Sequence, residues 1–296
     1  MFSYTEKFNR VDTRKLISND FYNNEYQFFW EDNKSNQTMV GFGAVDTIEI
    51  FTPSDLDQVQ LEINEKLNTI VDISSDVYIA PKFFGGYAFN IMKKSDNWID
   101  FPRGYFILPQ CIITSIENNT FITLIKKTAD TLKPEILSKE ISDLYKELIK
   151  SKPRTKKNYN KITVDKINND ITKNEYMDIV NQIIKKIQLG VVKKVVLSKS
   201  KFLQFGRHPN LLKIIKQLSD YYPECINFFM KLPKKGVFFG STPERLIQKN
   251  KSYIKSEAIA GTIKRGSNNN EDILFENELK NDYKSLEEHK LVIQQI

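Results

Sequence analysis

Cysteine and histidine are nearly missing from this 296-residue chain, with two of each. Cys111 and Cys225 lie far apart and outside any C-x-x-C spacing. Neither a disulfide framework nor a thiolate zinc site is indicated, and a reducing cytoplasm is the default compartment. His208 and His289 cannot build a multi-histidine metal site by themselves. Arginine is scarce too: it occurs at 10, 14, 103, 154, 207, 245 and 265, among 44 Lys and Arg in all. Proteins that read nucleic acid favour the planar arginine fork, so the formal net charge of +7 does not mark a nucleic-acid binder. No apolar run approaches the roughly 18 residues of a membrane span. The first residues, Met1 to Lys7, lack the apolar core of a secretory signal.

What is present is a globular composition. Apolar residues make up 40% and aromatics 12%, which excludes disorder as a whole-chain reading. The length fits one large domain or two ordinary ones. Residues 1–150 read as an N-terminal β-rich part ending in a helix. Strands are expected at 26–30 and 39–45 around the polar turn Asp32–Asn36, and again at 83–89, 104–109 and 121–125. Gly41 and Gly43 form a G-x-G that no helix follows, which argues against a dinucleotide loop. Apolar residues at 136, 137, 141, 144, 148 and 149 have helical spacing. The basic stretch from Lys146 to Lys166 reads as a solvated linker over 151–168, its charges interleaved with Ser151, Pro153, Thr155 and asparagines.

Residues 169–296 are the better punctuated part. Thr172 and Glu175 make a capping box ahead of the apolar stripe Tyr176, Ile179, Val180, Ile183, Ile184 and Ile187, and Gly190 stands where a left-handed cap falls. Val191–Ser198 is expected as a largely buried strand and Asn210–Ser219 as a helix. Ile226–Leu232 with Gly236–Gly240 reads as a strand pair, and Glu257–Thr262 as a short strand entering a glycine turn. Lys284–Ile296 is expected as a helix. The order predicts an α+β fold, layered antiparallel sheets with helices outside.

Four pieces of this region could carry chemistry, and each also has a plain structural reading. Lys194 is either a strand-edge lysine in alternation or a desolvated, neutral general base. Glu244 follows the Pro243 turn directly after an aromatic strand, as a turn carboxylate or as an acid. Ala258–Thr262 is a tight turn, or a place where a ligand meets backbone amides. Glu287 and Glu288 are solvent-facing helix residues, or one of them is a hard oxygen ligand for Mg²⁺.

Together, the segments Lys194–Lys199, Phe239–Leu246, Ala258–Gly266 and Lys284–Val292 resemble the chorismate-utilising enzymes, and within them the isochorismate synthases of the menaquinone type. Phe28–Glu31, Gly41–Gly43 and Phe84–Phe89 extend the likeness to about residues 26–296. The resemblance implies the fold of anthranilate synthase component I. It implies a Mg²⁺-dependent conversion of chorismate to isochorismate, by water attack at ring carbon 2 and loss of the 4-hydroxyl. Lys194 would match the general base and Glu244 the general acid. Ala260, Gly261 and Thr262 would match the turn that binds the substrate carboxylate, and Glu288 a Mg²⁺ ligand. A neutral base beside a protonated acid calls for a closed, desolvated pocket. A lysine at 194 resembles the water-using branch, isochorismate or salicylate synthase, rather than the amine-transferring one. A siderophore-pathway isochorismate synthase is the further alternative.

Against the family pattern, the helix from Lys284 runs to Ile296 without a stop signal. The family's C-terminal segment, with its second metal carboxylate, is not matched by any residue here. The expectation is a C-terminally truncated chain, weak or inactive alone, for which a completing chain would supply the remainder. The competing non-enzymatic reading is a catalytically dead binding fragment. Chorismate is the expected small-molecule partner; neither nucleic acid nor membrane is expected.

Overall fold

In a computed structural model of the protein, residues 1–18, 25–74, 79–92, 98–99, 101–128, 132–150 and 163–296 are described. The first elements are β1 (Phe2–Asn9), a 3₁₀ turn (Thr13–Ser18), β2 (Gln27–Asp32), β3 (Gln37–Phe42), β4 (Asp46–Ile50), α1 (Pro53–Asn68), β5 (Val71–Asp72), β6 (Phe84–Tyr87), β7 (Gly104–Leu108), β8 (Cys111–Ile116), β9 (Asn119–Lys126) and α2 (Pro134–Lys150). Then follow β10 (Val164–Asn169), α3 (Lys173–Gln188), β11 (Lys201–Phe205), α4 (Leu211–Tyr221), β12 (Ile226–Leu232), β13 (Gly236–Thr242), β14 (Gln248–Asn250), β15 (Tyr253–Lys255), α5 (Asn269–Asn281) and α6 (Tyr283–Ile293). They form two compact units: Met1–Asn158 with Asn210–Pro243, and Tyr159–Pro209 with Glu244–Ile296.

The first unit is built on an eight-stranded sheet ordered β13-β12-β2-β3-β8-β9-β1-β5, beside a three-stranded sheet ordered β4-β7-β6. Side chains alternate across a strand, so cross-strand partners form rows on one face. One row runs Phe239, Phe229, Phe29, Val40, Ile113, Ile122. Phe29, Val40, Ile113 and Ile122 are fully buried, and Phe229 almost so. The helices complete this core. Leu137, Ile141, Leu144 and Leu148 of α2 form a buried helical stripe, and Leu16, Ile17 and Ile215 of α4 join the same cluster. On the opposite face Ile112 and Ile125 pack with Phe84 and Leu108. Each such side chain contributes about 1.5–3 kcal/mol by leaving water.

Two residues along the strands, the same face turns polar. Ser241, Asn227, Glu31, Thr38, Ser115 and Thr120 are cross-strand neighbours in turn. Asn227 Nδ2 donates to Glu31 Oε2 at 3.4 Å, and the Thr13 and Thr38 hydroxyls lie 2.8 Å apart. The Arg14 guanidinium stands 3.8 Å from the buried Glu31 carboxylate. These bonds satisfy part of the row, while among the described residues Asn227 Oδ1 and Ser241 Oγ stay buried without a hydrogen-bond partner.

In this unit the expected strands at 26–30, 39–45, 83–89, 104–109 and 121–125 appear as β2, β3, β6, β7 and β9, and the 136–149 helix as α2. The expectation of a single terminal helix was incomplete. α1 is a second helix, begun by Pro53 and by Asp55, whose Oδ2 accepts from Thr52 N at 2.8 Å. Contact grouping does not follow chain order, because β12 pairs with β2 and so carries residues 210–243 into the first unit. Of the linker expected at 151–168, residues 151–162 lie outside the described residues, and Val164–Asn169 are strand β10.

The second unit holds the β10–β11 pair, the β14–β15 hairpin and helices α3, α5 and α6. Thr172 and Glu175 cap α3 reciprocally as expected, and Gly190 has φ +69°. Among its described residues none is fully buried. Val191–Ser198 is not a strand: Val195 is 44% and Val196 80% exposed. Glu257–Thr262 is not one either. β-branched residues make a strand only where a neighbouring strand supplies a ladder, and among the described residues none pairs with them. At the start of α5, the Arg265 guanidinium holds the Asp272 carboxylate at 3.0 Å, and the Gly266 amide donates to it as well. These bonds push the Asp272 carboxyl down to about 2.

Two expected outcomes test this description. Phe229→Ala lowers unfolding stability by about 3–5 kcal/mol in a urea titration, since a fully buried aromatic is removed. The Asp272 clasp, whose folded carboxyl titrates near 2, stays intact above pH 4. As pH falls from 4 through 2 it loosens, read as faster amide exchange at Gly266.

Candidate active site

α6 is the frame of the site. Asp282 caps it, Oδ2 accepting from Ser285 N at 2.8 Å, and turns the chain from α5 into α6. Along this helix only Ser285, Glu288, His289, Leu291 and Val292 escape full exposure. Four of these recur at i, i+3, i+4 and i+7, the spacing of one helix face.

Two chain segments meet that face. From the segment before β11, Lys194 Nζ lies 3.1 Å from Glu288 Oε1, with the two side chains 29% and 38% exposed. From the loop before α5, the Ala258 carbonyl stands 3.2 Å from His289 Nε2. Three residues on, Gly261 has φ +84°, a conformation that L side chains rarely adopt. A Cβ there would come within 3.3 Å of Ser285 Cβ and 3.5 Å of Leu279 Cδ1. The positive φ is what favours glycine here, and Ser285 leaves a Cβ only tight room. Ala260 beside it is half-buried and Thr262 exposed.

Glu244, the first residue of the unit's second stretch, is exposed. Its neighbour Arg245 is half-buried and donates from NH1 to Gln248 Oε1 at 2.7 Å. A cavity of about 390 Å³ lies in the first unit, lined by Arg10 to Arg14, Glu31, Asn33 and Asn36 to Thr38. It shares no residue with the expected site. Of the expected site residues, then, Lys194, Gly261 and Glu288 converge on α6. Sequence reading named His289 and gave it no role, and passed over Ser285. Counting three back and one on from Glu288 along a helix would have placed both on the same face.

The arrangement offers a cation and a carboxylate at hydrogen-bond distance beside a tight turn of small residues. An ion pair this exposed adds no more than about 1 kcal/mol to stability. Its interest is chemical, since the pair places a proton-carrying amine next to a hard oxygen donor. Among the described residues no three His, Cys, Asp or Glu side chains gather as a metal cluster. Mg²⁺ takes one or two protein carboxylates and completes its octahedron with water and substrate oxygens. Glu288 fits such a ligand set in part, as a single carboxylate.

Comparison with known proteins bears on both fold and site. A family model described as chorismate binding enzyme matches residues 1–296. Isochorismate synthase MenF of Bacillus subtilis is 25% identical over 277 residues, covering 90% of this chain and 57% of that protein. Anthranilate synthase component 1 of Saccharolobus solfataricus is 32% identical over 123 residues, 42% of this chain and 28% of the relative. Among solved structures, MenF of Escherichia coli, a menaquinone-specific isochorismate synthase, superposes with a TM-score of 0.69 at 19% identity. That match covers 99% of this chain and 62% of the other. DhbC of Bacillus anthracis, described as a 2,3-dihydroxybenzoate-specific isochorismate synthase, gives 0.64 at 19% identity, over 96% and 61%. The chain thus spans somewhat more than half the length of its isochorismate synthase relatives, and the α+β architecture is that of the chorismate-utilising fold. Matched along its whole length by the family's model and folded as these structures are, the chain belongs to the chorismate-binding enzymes.

Proposed function

We propose that this chain carries the base, acid and carboxylate side of an isochorismate synthase site, converting chorismate to isochorismate. The observation that carries the reading is the Lys194–Glu288 contact of 3.1 Å on the helix face that also receives the Gly261 turn. The residues assigned to this catalytic part, Lys194, Glu244, Ala260, Gly261, Thr262 and Glu288, all lie in the two stretches of the second unit. In the reaction a water oxygen bonds to ring carbon 2 and the ring double bonds shift. The bond from carbon 4 to its hydroxyl breaks. Lys194, neutral at that moment, accepts the proton released by the water, and Glu244 donates one to the departing hydroxyl. The two transfers leave the substrate isomerised with no net gain or loss of atoms. General acid and base groups of this kind each contribute about 10²–10⁴-fold to rate.

Ala260, Gly261 and Thr262 would orient the substrate by offering backbone amides to its ring carboxylate, which the absence of a side chain at Gly261 permits. Glu288 is the residue that would hold Mg²⁺, and the ion when bound supplies positive charge to that carboxylate. Lys194, 3.1 Å from Glu288, is the amine that would stand beside such a site. The likeness to MenF favours a role in menaquinone biosynthesis, and the likeness to DhbC supports a siderophore-pathway isochorismate synthase as the second reading. Cytoplasmic placement follows from such a biosynthetic role.

Incubation of the purified chain with chorismate and Mg²⁺, followed by chromatography, tests the assignment. The expected product is isochorismate, formed slowly and reduced at least about 10²-fold by Lys194→Ala and by Glu244→Gln. Chelation of Mg²⁺ is expected to stop its formation. Salicylate with pyruvate as products would transfer the chain to the salicylate synthase reading. A folded chain that neither binds nor converts chorismate would instead be a dead fragment, and the proposal would fall.

A further inference from the structure

We propose that His289 is a positioning residue, which ties the Ala258–Thr262 turn to α6 and sets its distance from Glu288. The inference rests on the site assignment just made, since the turn matters for catalysis only if it receives the substrate carboxylate. His289 Nε2 lies 3.2 Å from the Ala258 carbonyl oxygen, across 31 residues of chain. A carbonyl oxygen can only accept, so Nε2 carries the hydrogen and donates it.

Other features point the same way. The segment 256–266 has neither helix nor strand to hold it, so no ladder fixes its position. Gly261 nonetheless approaches Ser285 and Leu279 so closely that a Cβ would be at contact limits. Ser285 and His289 are one helical turn apart, on the face that also carries Glu288. His289 ties the start of the turn to α6, and Gly261 further along lies close against Ser285 of the same helix, so the turn follows the helix at two points. An irregular segment anchored at two points on a rigid helix keeps a set distance from a third group on that helix. That group is Glu288, whose Oε1 holds Lys194. Substrate-orienting elements gain their effect from such fixed geometry.

The role differs from that of Glu288 and Lys194, because His289 need not touch substrate. It also requires a donor at one place rather than an imidazole as such. Glutamine, with an amide N–H at similar reach, is expected to replace it, whereas phenylalanine keeps the bulk and loses the donor.

The test compares the full chain with His289→Phe and His289→Gln in two measurements. The first is amide hydrogen exchange over residues 258–262 without ligand. The second is chorismate affinity in the presence of Mg²⁺. We expect His289→Phe to speed exchange in the turn about tenfold and to weaken chorismate binding by about the same factor, with an unchanged melting temperature. His289→Gln is expected to recover both within about threefold. Unchanged exchange and affinity in His289→Phe would overturn the proposal, as would equal losses in the two variants. A wild-type chain that shows the exchange effect but binds no chorismate would overturn the functional assignment, and the positioning role with it, while leaving the tether itself demonstrated.

Discussion

The ladder between β2 and β12 is the constraint on which the rest depends. It joins segments that are 196 residues apart in sequence, as in the Asn227–Glu31 pair. Phe29 and Phe229 are direct partners within it and both are buried. Closing so long a loop costs entropy, which a pair of strands alone does not offset. Here the ladder lies one strand in from the β13 edge of an eight-stranded sheet covered by α2 and α4, and burial of that face supplies the difference. Its topological consequence reaches the site. Because residues 210–243 are claimed by the first unit, the second unit is made of two separated stretches. Lys194 comes from one stretch and Glu288 from the other.

Within the second unit the chemistry is organised by a helix face rather than by a sheet. α6 presents Ser285, Glu288 and His289 side by side, and each engages something different: a glycine turn, a lysine and a carbonyl. The glycine is the sharpest constraint, since its positive φ is one that side-chain-bearing residues rarely adopt. The Lys194–Glu288 pair is looser, half open to water, so each group is free to exchange its partner. Proton transfer and metal binding require such exchange, but the closed, desolvated pocket that a neutral base calls for is not formed around this pair, whose side chains are 29% and 38% exposed. A deeply buried pair would resist that change, because breaking it leaves an uncompensated charge.

Apolar side chains behave differently in the two units. In the first, alternating strands and a striped helix bury Phe29, Val40, Ile113, Ile141 and Leu148 completely. In the second, Val196 and Leu246 are each 80% exposed and Leu189 78%. The same kind of apolar run thus yields a core strand in one place and irregular chain in the other. A strand is a cooperative object: its backbone groups need a neighbour, and Val191–Ser198 has none among the described residues.

Local punctuation was legible from the residues themselves. The Thr172–Glu175 box, the left-handed Gly190, the hairpin between Ile226 and Thr242 and the α2 stripe depend on contacts a few residues apart, and all appear where expected. The α1 start at Thr52-Pro53-Ser54-Asp55 carried the same kind of signal and was overlooked. The four ordered motifs likewise point to the family, since residue identity and spacing persist in the chain whatever its packing. Only the tertiary structure decided that β12 belongs beside β2, that Val191–Ser198 forms no strand, and that His289 reaches Ala258. Each of these turns on a partner tens to hundreds of residues away. Periodicity reports which face of a segment is apolar; it carries no information about which distant segment will cover it.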